Sequence, residues 1–379
     1  MTKKLNIIQI LPELEVGGVE RGTVQISRAL VNRGHTAIVM SGGGRLVKEL
    51  NALGVEHIEL PVGAKKLSSV FLIYKLVRTF LNKKIDIVHS RSRLPSWLVW
   101  IALNFLSKNK RPVWITTVHG PYSVNAYSSI MIKGDHVIAV SHFIERYIKK
   151  NYSKAHQKDI TVIPRGIEKD LYRRSFRPSD AWMESWQQQL KHNADAKILT
   201  IAGRLTRWKG QLDFILILAG LRKRGVNAFG LIVGSAHKNN KAYEDELKIA
   251  AQTYGVTPYL LFLGSRSDLM EIFSISDCAY SLAKKPEAFG RTTIEALALG
   301  TPVIGYDHGG TSEILDNVFP RGKVALNDIN AVIDRTIEVL ANHPLITESH
   351  PYTVGRMELA TLSLYERSTT KILISKNVR

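Results

Sequence analysis

Short apolar segments alternate with helical stretches along the whole chain, and this rhythm constrains the fold more than any other feature of the sequence. In the first half the predicted strands are Leu5–Leu11, Ala37–Met40, Ile85–His89, Val113–Val118, Val137–Val140 and Ile160–Ile163. In the second half they are Lys197–Ala202, Ala228–Val233, Leu260–Leu263, Cys278–Ser281 and Pro302–Gly305. Alternation of this kind indicates parallel sheets covered by helices. The sequence therefore predicts an α/β protein with two Rossmann-like domains.

The two domains are predicted to join in the segment Pro164–Ala196, which is charged, contains tryptophans and has no clear period. A chain of 379 residues suits two domains of ordinary size. We place the first domain at residues 1–170 and the second at residues 171–354. Open parallel sheets bind ligands beyond the carboxyl ends of their strands, so we expect the two domains to face each other across a cleft.

The charge of the chain is distributed unevenly. Residues 1–175 contain 28 Lys and Arg against 12 Asp and Glu, a net charge of +16, whereas residues 176–379 contain 24 against 21. This excess indicates an anionic partner for the first domain, such as a membrane surface, a phosphorylated acceptor or nucleic acid. The single cysteine, Cys278, suits a reducing compartment, and no apolar run reaches the roughly 18 residues of a membrane span. We expect a cytoplasmic protein.

Two glutamates stand eight positions apart in the sequence Glu287-Ala-Phe-Gly-Arg-Thr-Thr-Ile-Glu295, just after a predicted strand. Gly300 follows as the expected end of a helix that contains the second glutamate. Ionised carboxylates accept hydrogen bonds from vicinal hydroxyls, and the first N–H groups of a helix donate to ligand oxygens. The motif therefore predicts a binding site for a sugar or a ribose ring.

A basic loop, Gly203-Arg204-Leu-Thr-Arg207-Trp-Lys209-Gly210, follows the first predicted strand of the second domain. Arg204 and Lys209 are spaced to converge on one anion, and a pyrophosphate fits them. The alternative is a solvated basic loop, which suffices to explain Arg207. The pair Gly17-Gly18 would similarly let a ligand approach a helix N-terminus in the first domain, although a tight turn alone would explain it.

His119, with Gly120, follows the predicted strand Val113–Val118, where a histidine can hydrogen-bond a hydroxyl, although a lone histidine is more often structural. The sequence has no Asp-x-Asp and no zinc-spaced cluster of Cys and His. We therefore expect no metal cofactor, and we expect Arg204 and Lys209 to neutralise the phosphates of the ligand instead.

Two apolar stretches of the first domain are edged with cations. Lys65, Lys66, Lys75, Arg78, Lys83 and Lys84 flank an apolar set from Leu67 to Leu81. The stretch Trp97–Leu106 precedes Lys108, Lys110 and Arg111. Such helices suit a peripheral membrane site. The alternatives are an ordinary amphipathic surface helix for the first stretch and a buried core helix for the second.

Together these motifs resemble the family-4 retaining glycosyltransferases of the GT-B fold, a group 1 family that builds bacterial lipopolysaccharide and envelope glycans. The resemblance rests on Gly17-Gly18 with Glu20-Arg21, His119-Gly120, Gly203-Arg204, Lys209-Gly210 and the pair Glu287 and Glu295. It covers essentially the whole chain, because the tail from Met357 to Glu366 matches the family's last helices. It implies that a C-terminal helix, about residues 355–379, crosses back to an acceptor-binding first domain.

The resemblance also implies roles for individual residues. Glu295 would bind the ribose hydroxyls of a nucleotide-sugar, and Glu287 the hydroxyls of the transferred sugar. The residues implied to contact the donor are Gly17, Gly18, Arg204, Lys209, Ser265, Arg266, Glu287, Ala288, Phe289, Gly290, Arg291 and Glu295. The implied catalytic set is His119, Glu287, Arg204 and Lys209. One departure is Pro164-Arg165-Gly166, in which Arg165 replaces a residue suited to left-handed backbone.

The sequence-based hypothesis is a metal-independent retaining glycosyltransferase of the nucleotide-sugar-dependent kind. Its donor would be UDP-, GDP- or ADP-linked, and its acceptor a lipid-linked or lipopolysaccharide-core glycan at the inner face of the membrane. One alternative is a sugar-nucleotide epimerase of the same fold. The other is a basic nucleic-acid-binding protein, although the cations are not interleaved with a recognition module, so we expect no nucleic-acid partner.

Overall fold

The computed structural model of the chain describes residues 3–15, 17–64, 69–189, 195–236 and 241–377, without the side chains of residues 69, 154 and 371–377. The chain divides into two compact units, residues 1–166 with 354–379 and residues 167–353. The boundary between the first and second units follows Gly166, whereas the predicted boundary followed residue 170. The reason is that Ile167 forms a parallel bridge with Thr353, and its N–H donates to the Tyr352 carbonyl.

The first unit contains a seven-stranded parallel sheet. Its strands are β1 Asn6–Ile10, β2 Thr36–Ser41, β3 Glu56–Glu59, β4 Ile87–Ser90, β5 Val113–Val118, β6 His136–Ala139 and β7 Asp159–Val162. Their order is β3-β2-β1-β4-β5-β6-β7. The first helices are α1 Gly18–Asn32, α2 Val47–Ala52, α3 Ser69–Asn82, α4 Arg93–Asn104 and α5 His142–Asn151. The sequence did not predict β3, because this edge strand has polar residues at both ends and is largely exposed.

Two helices of this unit correspond to the two apolar stretches that are edged with cations. In α4 the side chains of Leu98, Val99, Ala102 and Leu103 are buried, so the stretch Trp97–Leu106 is mainly a core helix. In α3 the side chains of Leu72, Leu76 and Phe80 are buried at intervals of four residues. The opposite face of α3 nevertheless carries exposed apolar side chains. Lys65 and Lys66 lie outside the described residues.

The second unit contains a six-stranded parallel sheet in the order β10-β9-β8-β11-β12-β13. Its strands are β8 Lys197–Ala202, β9 Ala228–Val233, β10 Leu260–Gly264, β11 Cys278–Ser281, β12 Val303–Tyr306 and β13 Lys323–Val324. Its helices are α6 Asp180–Gln189, α7 Gln211–Lys223, α8 Lys241–Thr253, α9 Leu269–Ser274, α10 Arg291–Ala298, α11 Gly309–Val318 and α12 Ile329–Asn342. Cys278 is buried in this core, and burial raises the pKa of its thiol to about 12.

The segment Pro164–Ala196 is not an irregular linker as predicted. It contains α6, whose Trp186 is buried beside Phe229 and Leu231 of β9. Trp182 stacks on Trp186 with ring centroids 5.2 Å apart. The tryptophans give this segment enough apolar area to pack on the sheet, and from Ile167 onward it belongs to the second unit.

The last helix, α13 Val354–Asn377, belongs to the first unit. Met357, Leu362, Leu364 and Tyr365 are buried in the same apolar cluster as the inner residues of α1 and β1. In the described part of the chain, no helix combines the length and the apolar character that a membrane span requires.

Strand order locates the ligand-binding edge in each unit. In the first sheet the chain leaves β1 toward β2 on one side and returns to β4 on the other. In the second sheet β8 has the same position between β9 and β11. Ligands of such sheets bind beyond the carboxyl ends of the strands at this topological switch point. The candidate positions for a site are therefore the loops that follow β1, β4 and β5, and those that follow β8 and β11.

Candidate functional site

Glycines fix the loop between β11 and α10. Gly290 precedes α10 in the left-handed region, with φ of 96°. The N–H of Gly310, in the first turn of α11, donates to the Glu287 carbonyl over 2.8 Å. A Cβ atom on Gly310 would lie 2.4 Å from the Cα of Phe289, so only glycine permits this approach. The backbone of residues 287–290 is thereby held at the N-terminus of α10, the end of a helix that favours ligand oxygens and anions.

Lys209 and Glu287 form an ion pair at the switch point. The Nζ of Lys209 donates to Oε1 of Glu287 over 2.7 Å, and the two side chains are 17% and 15% exposed. The loops that carry them are also joined through their backbones, because the Lys284 N–H donates to the Trp208 carbonyl over 2.7 Å. Two residues predicted from separate motifs, one for phosphate and one for sugar hydroxyls, therefore touch each other.

Gly203 and Arg204 follow β8 directly. Gly203 has φ of 154°, and a Cβ atom there would lie 3.7 Å from the side-chain carbons of Lys209. The Arg204 side chain is exposed, and its carbonyl accepts from Nε2 of Gln211 over 3.0 Å. Among the described residues no side chain holds the Arg204 guanidinium, which is therefore available to an anionic ligand.

Glu295 lies in the second turn of α10 and is only 5% exposed. Its Oε1 accepts from Nε of Arg291 over 2.7 Å, and the Tyr172 hydroxyl also hydrogen-bonds this carboxylate. Burial raises the pKa of Glu295, and the bonds from Arg291 and Tyr172 oppose that rise. Burial, followed by the charge of Glu295, raises the pKa of Tyr172 to about 12, so its hydroxyl remains a donor. Tyr172 was not a predicted site residue.

Ser265 and Arg266 follow β10. The Arg266 guanidinium binds Asp268, with Nε 2.8 Å from Oδ1, and the same carboxylate accepts from Nε1 of Trp182 over 2.8 Å. The hydrogen bond from Arg266 lowers the pKa of Asp268 to about 2, with a further contribution from Trp182. Arg266 is thus engaged by a neighbouring carboxylate, whereas Ser265 is exposed.

In the first unit, Gly17 and Gly18 begin α1 beyond the end of β1. Gly17 is extended, and its carbonyl accepts the first helical hydrogen bond from the Arg21 N–H over 3.0 Å. A Cβ atom on Gly17 would lie 2.3 Å from Oε2 of Glu20, so the Glu20 carboxylate lies close to the Gly17 backbone. The preceding residue, Val16, lies outside the described residues.

His119 follows β5 in the first unit, and its imidazole contacts Arg165. Nη2 of Arg165 lies 2.8 Å from Nδ1 of His119. Burial, then the charges of Arg165 and Arg91, hold the pKa of His119 well below its usual value. Arg165 does not enter the left-handed backbone region, contrary to the concern raised by the sequence. At this departure from the family pattern, the Arg165 side chain contacts His119.

A buried polar cluster lies next to this histidine and was missed by the sequence. His89 is bonded through Nδ1 to the Tyr365 hydroxyl and through Nε2 to the Thr117 hydroxyl, both over 2.6 Å. Arg91 donates from Nε to Oε1 of Gln9 over 2.9 Å. The sequence offered one signal for this cluster, which is the position of His89 and Arg91 at the end of a buried strand. The contact with Tyr365 could not be predicted, because Tyr365 comes from a helix far away in the sequence.

No group of three His, Cys, Asp or Glu side chains could hold a metal ion among the residues that the structure describes.

Two parallel sheets with loop sites at their switch points are the architecture of the GT-B glycosyltransferases. A glycosyltransferase from Rickettsia africae has this fold, with a TM-score of 0.81 at 27% identity over 96% of this chain and 98% of that chain. The Anabaena protein HepE, in complex with UDP-glucose, has a TM-score of 0.74 at 20% identity over 98% of this chain and 100% of that chain.

The sequence places the chain in a family. Residues 183–350 match the family described as glycosyl transferases group 1, and residues 16–171 match glycosyltransferase family 4. The chain belongs to the group 1 glycosyltransferases of family 4. A lipopolysaccharide 1,2-N-acetylglucosaminetransferase from Salmonella typhimurium is 28% identical over 48% of this chain and 47% of that enzyme. The chain thus spans about half the length of this relative.

Proposed function

We propose that the chain transfers a sugar from a nucleotide-sugar donor to a glycan acceptor, with retention of anomeric configuration and without a metal. The observation that carries the proposal is the contact between Lys209 and Glu287 at the switch point of the second unit, beside the exposed Arg204. It brings a cation for phosphate next to an acceptor for hydroxyls. The solved complex of HepE with UDP-glucose supports a donor of this class.

The proposed donor contacts follow from charge and burial. Arg204 and Lys209 bind the diphosphate and stabilise the charge that develops on it as the sugar leaves. Glu287 and the backbone around Gly290 bind the hydroxyls of the sugar. Glu295 binds the ribose hydroxyls, which replace part of its present bonding to Arg291 and Tyr172. In this proposal the glutamates are binding groups rather than the acid and nucleophile of a glycosidase.

The acceptor is proposed to be an anionic lipid-linked or phosphorylated glycan, with a lipopolysaccharide core as the specific case. The first unit, residues 1–166 and 354–379, contains 30 Lys and Arg against 12 Asp and Glu, and this net charge of +18 supports an anionic acceptor. The Salmonella relative acts on lipopolysaccharide by its name. His119 is proposed to bind an oxygen of the substrate.

Peripheral attachment to the cytoplasmic membrane face is proposed through one surface of α3. Val70, Phe71 and Tyr74 are 79%, 55% and 57% exposed there. Lys75 lies over the Phe71 ring at 4.6 Å, and Arg78 over the Tyr74 ring at 5.8 Å. Aromatic side chains with cations beside them fit the boundary of an anionic bilayer, where each cation contributes about 1 kcal/mol.

Vesicle sedimentation tests this attachment. We expect binding to vesicles of phosphatidylcholine with phosphatidylglycerol, weaker binding to phosphatidylcholine alone, and loss of binding in Phe71→Ser/Tyr74→Ser. The matched control is Ile249→Ser/Tyr254→Ser, which removes exposed apolar side chains from the second unit. Equal binding by the two double variants would exclude the α3 surface.

The donor proposal is tested by thermal unfolding in the presence of UDP-, GDP-, ADP- and CMP-sugars, because a ligand that binds the native state raises the melting temperature. We expect one nucleotide to do so with the wild type and with the surface control Glu184→Gln, but not with Glu295→Gln. The absence of any shift with all four would argue strongly against the proposal.

Product and binding assays distinguish the proposed transferase from an epimerase and from a nucleic-acid-binding protein. An epimerase of this fold would interconvert nucleotide-sugars without an acceptor. A nucleic-acid-binding protein would bind random oligonucleotides more tightly than anionic vesicles, with a steep dependence on salt. Transfer of a labelled sugar to a glycolipid fraction, with retained configuration and in the presence of EDTA, is the result that the proposal requires.

A further inference from the structure

The contact between Arg165 and His119 defines which imidazole nitrogen carries the proton. A guanidinium is always protonated and has only donors. Because Nη2 of Arg165 lies 2.8 Å from Nδ1 of His119, this Nδ1 must be the acceptor of the pair. A neutral imidazole that accepts at Nδ1 carries its proton on Nε2. His119 is therefore an Nε2–H donor as long as Arg165 stays in place.

That donor has no partner among the residues that the structure describes. The Nε2 atom of His119 is buried and makes no hydrogen bond to any residue that the structure describes. A buried donor without an acceptor costs about 1–3 kcal/mol, so each such group in a native protein needs an explanation, and one explanation is a ligand that supplies the acceptor. The neighbouring groups whose charges act on His119 are Arg165, Arg91 and His89, and all three disfavour a second proton on the ring.

We infer that Arg165 is a positioning residue that fixes His119 as an Nε2–H donor for an acceptor oxygen of the substrate. This inference rests on the proposed function for the identity of the substrate, a hydroxylated or phosphorylated glycan or its donor. It has a chemical consequence: an Nε2 that already carries a proton cannot remove one from an attacking hydroxyl. His119 then contributes binding and orientation, not general-base catalysis.

The sequence makes room for this arrangement at Gly22 in α1. A Cβ atom on Gly22 would lie 2.1 Å from Nη1 of Arg165. The obstructed atom is the end of a flexible side chain, so an alanine would displace the guanidinium rather than the helix. Gly22 is helical, and alanine is preferred there by about 1 kcal/mol on intrinsic grounds. Gly22→Ala thus disturbs the contact between Arg165 and His119 without removing either side chain.

The direct test is the imidazole nitrogen spectrum of the full chain labelled with ¹⁵N-histidine, recorded at neutral pH. The chain has 12 histidines, so the signals of His119 are identified by their loss in His119→Gln. We expect a protonated Nε2 and an unprotonated Nδ1. An Nδ1–H tautomer or a doubly protonated ring in the wild type would overturn the inference, whatever the enzyme transfers.

Variants test the role of Arg165 itself. Arg165→Glu places an acceptor beside Nδ1 and is expected to reverse the tautomer. In Gly22→Ala we expect kcat/KM for sugar transfer to fall about tenfold, which corresponds to one hydrogen bond of about 1.4 kcal/mol, with no loss of thermal stability. The matched control is Gly355→Ala in α13, where a Cβ atom would meet nothing within 4 Å. Full activity in Gly22→Ala, or an unchanged tautomer in a folded Arg165→Glu, would contradict the assignment.

Failure of the proposed function gives a different pattern. If no nucleotide-sugar is bound or turned over but the spectrum shows Nε2–H, the glycosyl-transfer proposal fails and the tautomer assignment stands. If sugar transfer is observed with an Nδ1–H tautomer, the reverse holds.

Discussion

The ion pair between Lys209 and Glu287 predicts that loss of the Glu287 charge changes the affinities for two related ligands by different amounts. In Glu287→Gln the side chain keeps its size and loses its charge. The glutamate carboxylate lies 2.7 Å from the ammonium that is proposed to hold the diphosphate, so it lies within about 6 Å of any bound phosphate. At that distance two like charges repel by about 3 kcal/mol at an effective dielectric constant of 20, and by about 1–2 kcal/mol after screening by salt.

Removal of this charge should therefore strengthen the binding of the free nucleoside diphosphate by about tenfold, since 1.4 kcal/mol is a factor of ten. The nucleotide-sugar should gain less or lose affinity, because its sugar hydroxyls lose a charged acceptor worth about 1.5–3 kcal/mol. The protein without ligand should lose about 1–2 kcal/mol of unfolding free energy, because the Lys209 ammonium keeps only a neutral partner in a site that is mostly buried.

Isothermal titration calorimetry with the nucleoside diphosphate and the nucleotide-sugar, together with urea unfolding, measures all three quantities. Glu184→Gln, an exposed glutamate in α6, is the control for charge alone and should change none of them. If Glu287→Gln binds the diphosphate no more tightly than the wild type does, Lys209 is not a phosphate-binding residue beside this carboxylate, and the reasoning fails.

Three further variants probe the same unit. Arg204→Ala should lower kcat/KM by about 100-fold and change the urea-derived unfolding free energy by less than about 0.5 kcal/mol, since the side chain is exposed; a large loss of stability would contradict this. Asp268→Asn should lower the free energy of unfolding by about 1–2 kcal/mol near neutral pH. The folded-state pKa of Asp268 is depressed from 3.8 to about 2, so its contribution is present above about pH 4 and lost as the pH falls toward 2, and the wild type and variant should converge there in urea unfolding. Gly310→Ala should lower the free energy of unfolding by about 2–3 kcal/mol and abolish donor binding in calorimetry, because the new Cβ atom meets the Phe289 backbone. The control Gly355→Ala should keep an unfolding free energy within about 1 kcal/mol of the wild type.

The strand rhythm predicted both parallel sheets because each central strand is buried on both faces and is therefore continuously apolar. It failed at β3 and at the two-residue β13, which lie at sheet edges and need no apolar run. It also failed at α6, where the tryptophans were taken as part of an irregular segment. In each case the deciding contact is tertiary, and local composition does not reveal it.

In the candidate site, too, the sequence predicted individual residues but not the tertiary contacts between them. Glu287, Glu295, Arg204 and Lys209 could be selected from the sequence, because loops at the carboxyl ends of parallel strands converge and each motif has chemistry of its own. The sequence did not predict how neighbouring side chains hold these groups in place. Tyr172 and Arg291 hold Glu295, Glu287 holds Lys209, and Arg165 orients His119. Arg291 and Glu295 lie four residues apart in α10, but each of the other restraints joins residues from different elements, which no single motif contains. A ligand must therefore compete with bonds already present around Lys209 and Glu295, so its affinity measures a difference between two sets of partners rather than the strength of either set.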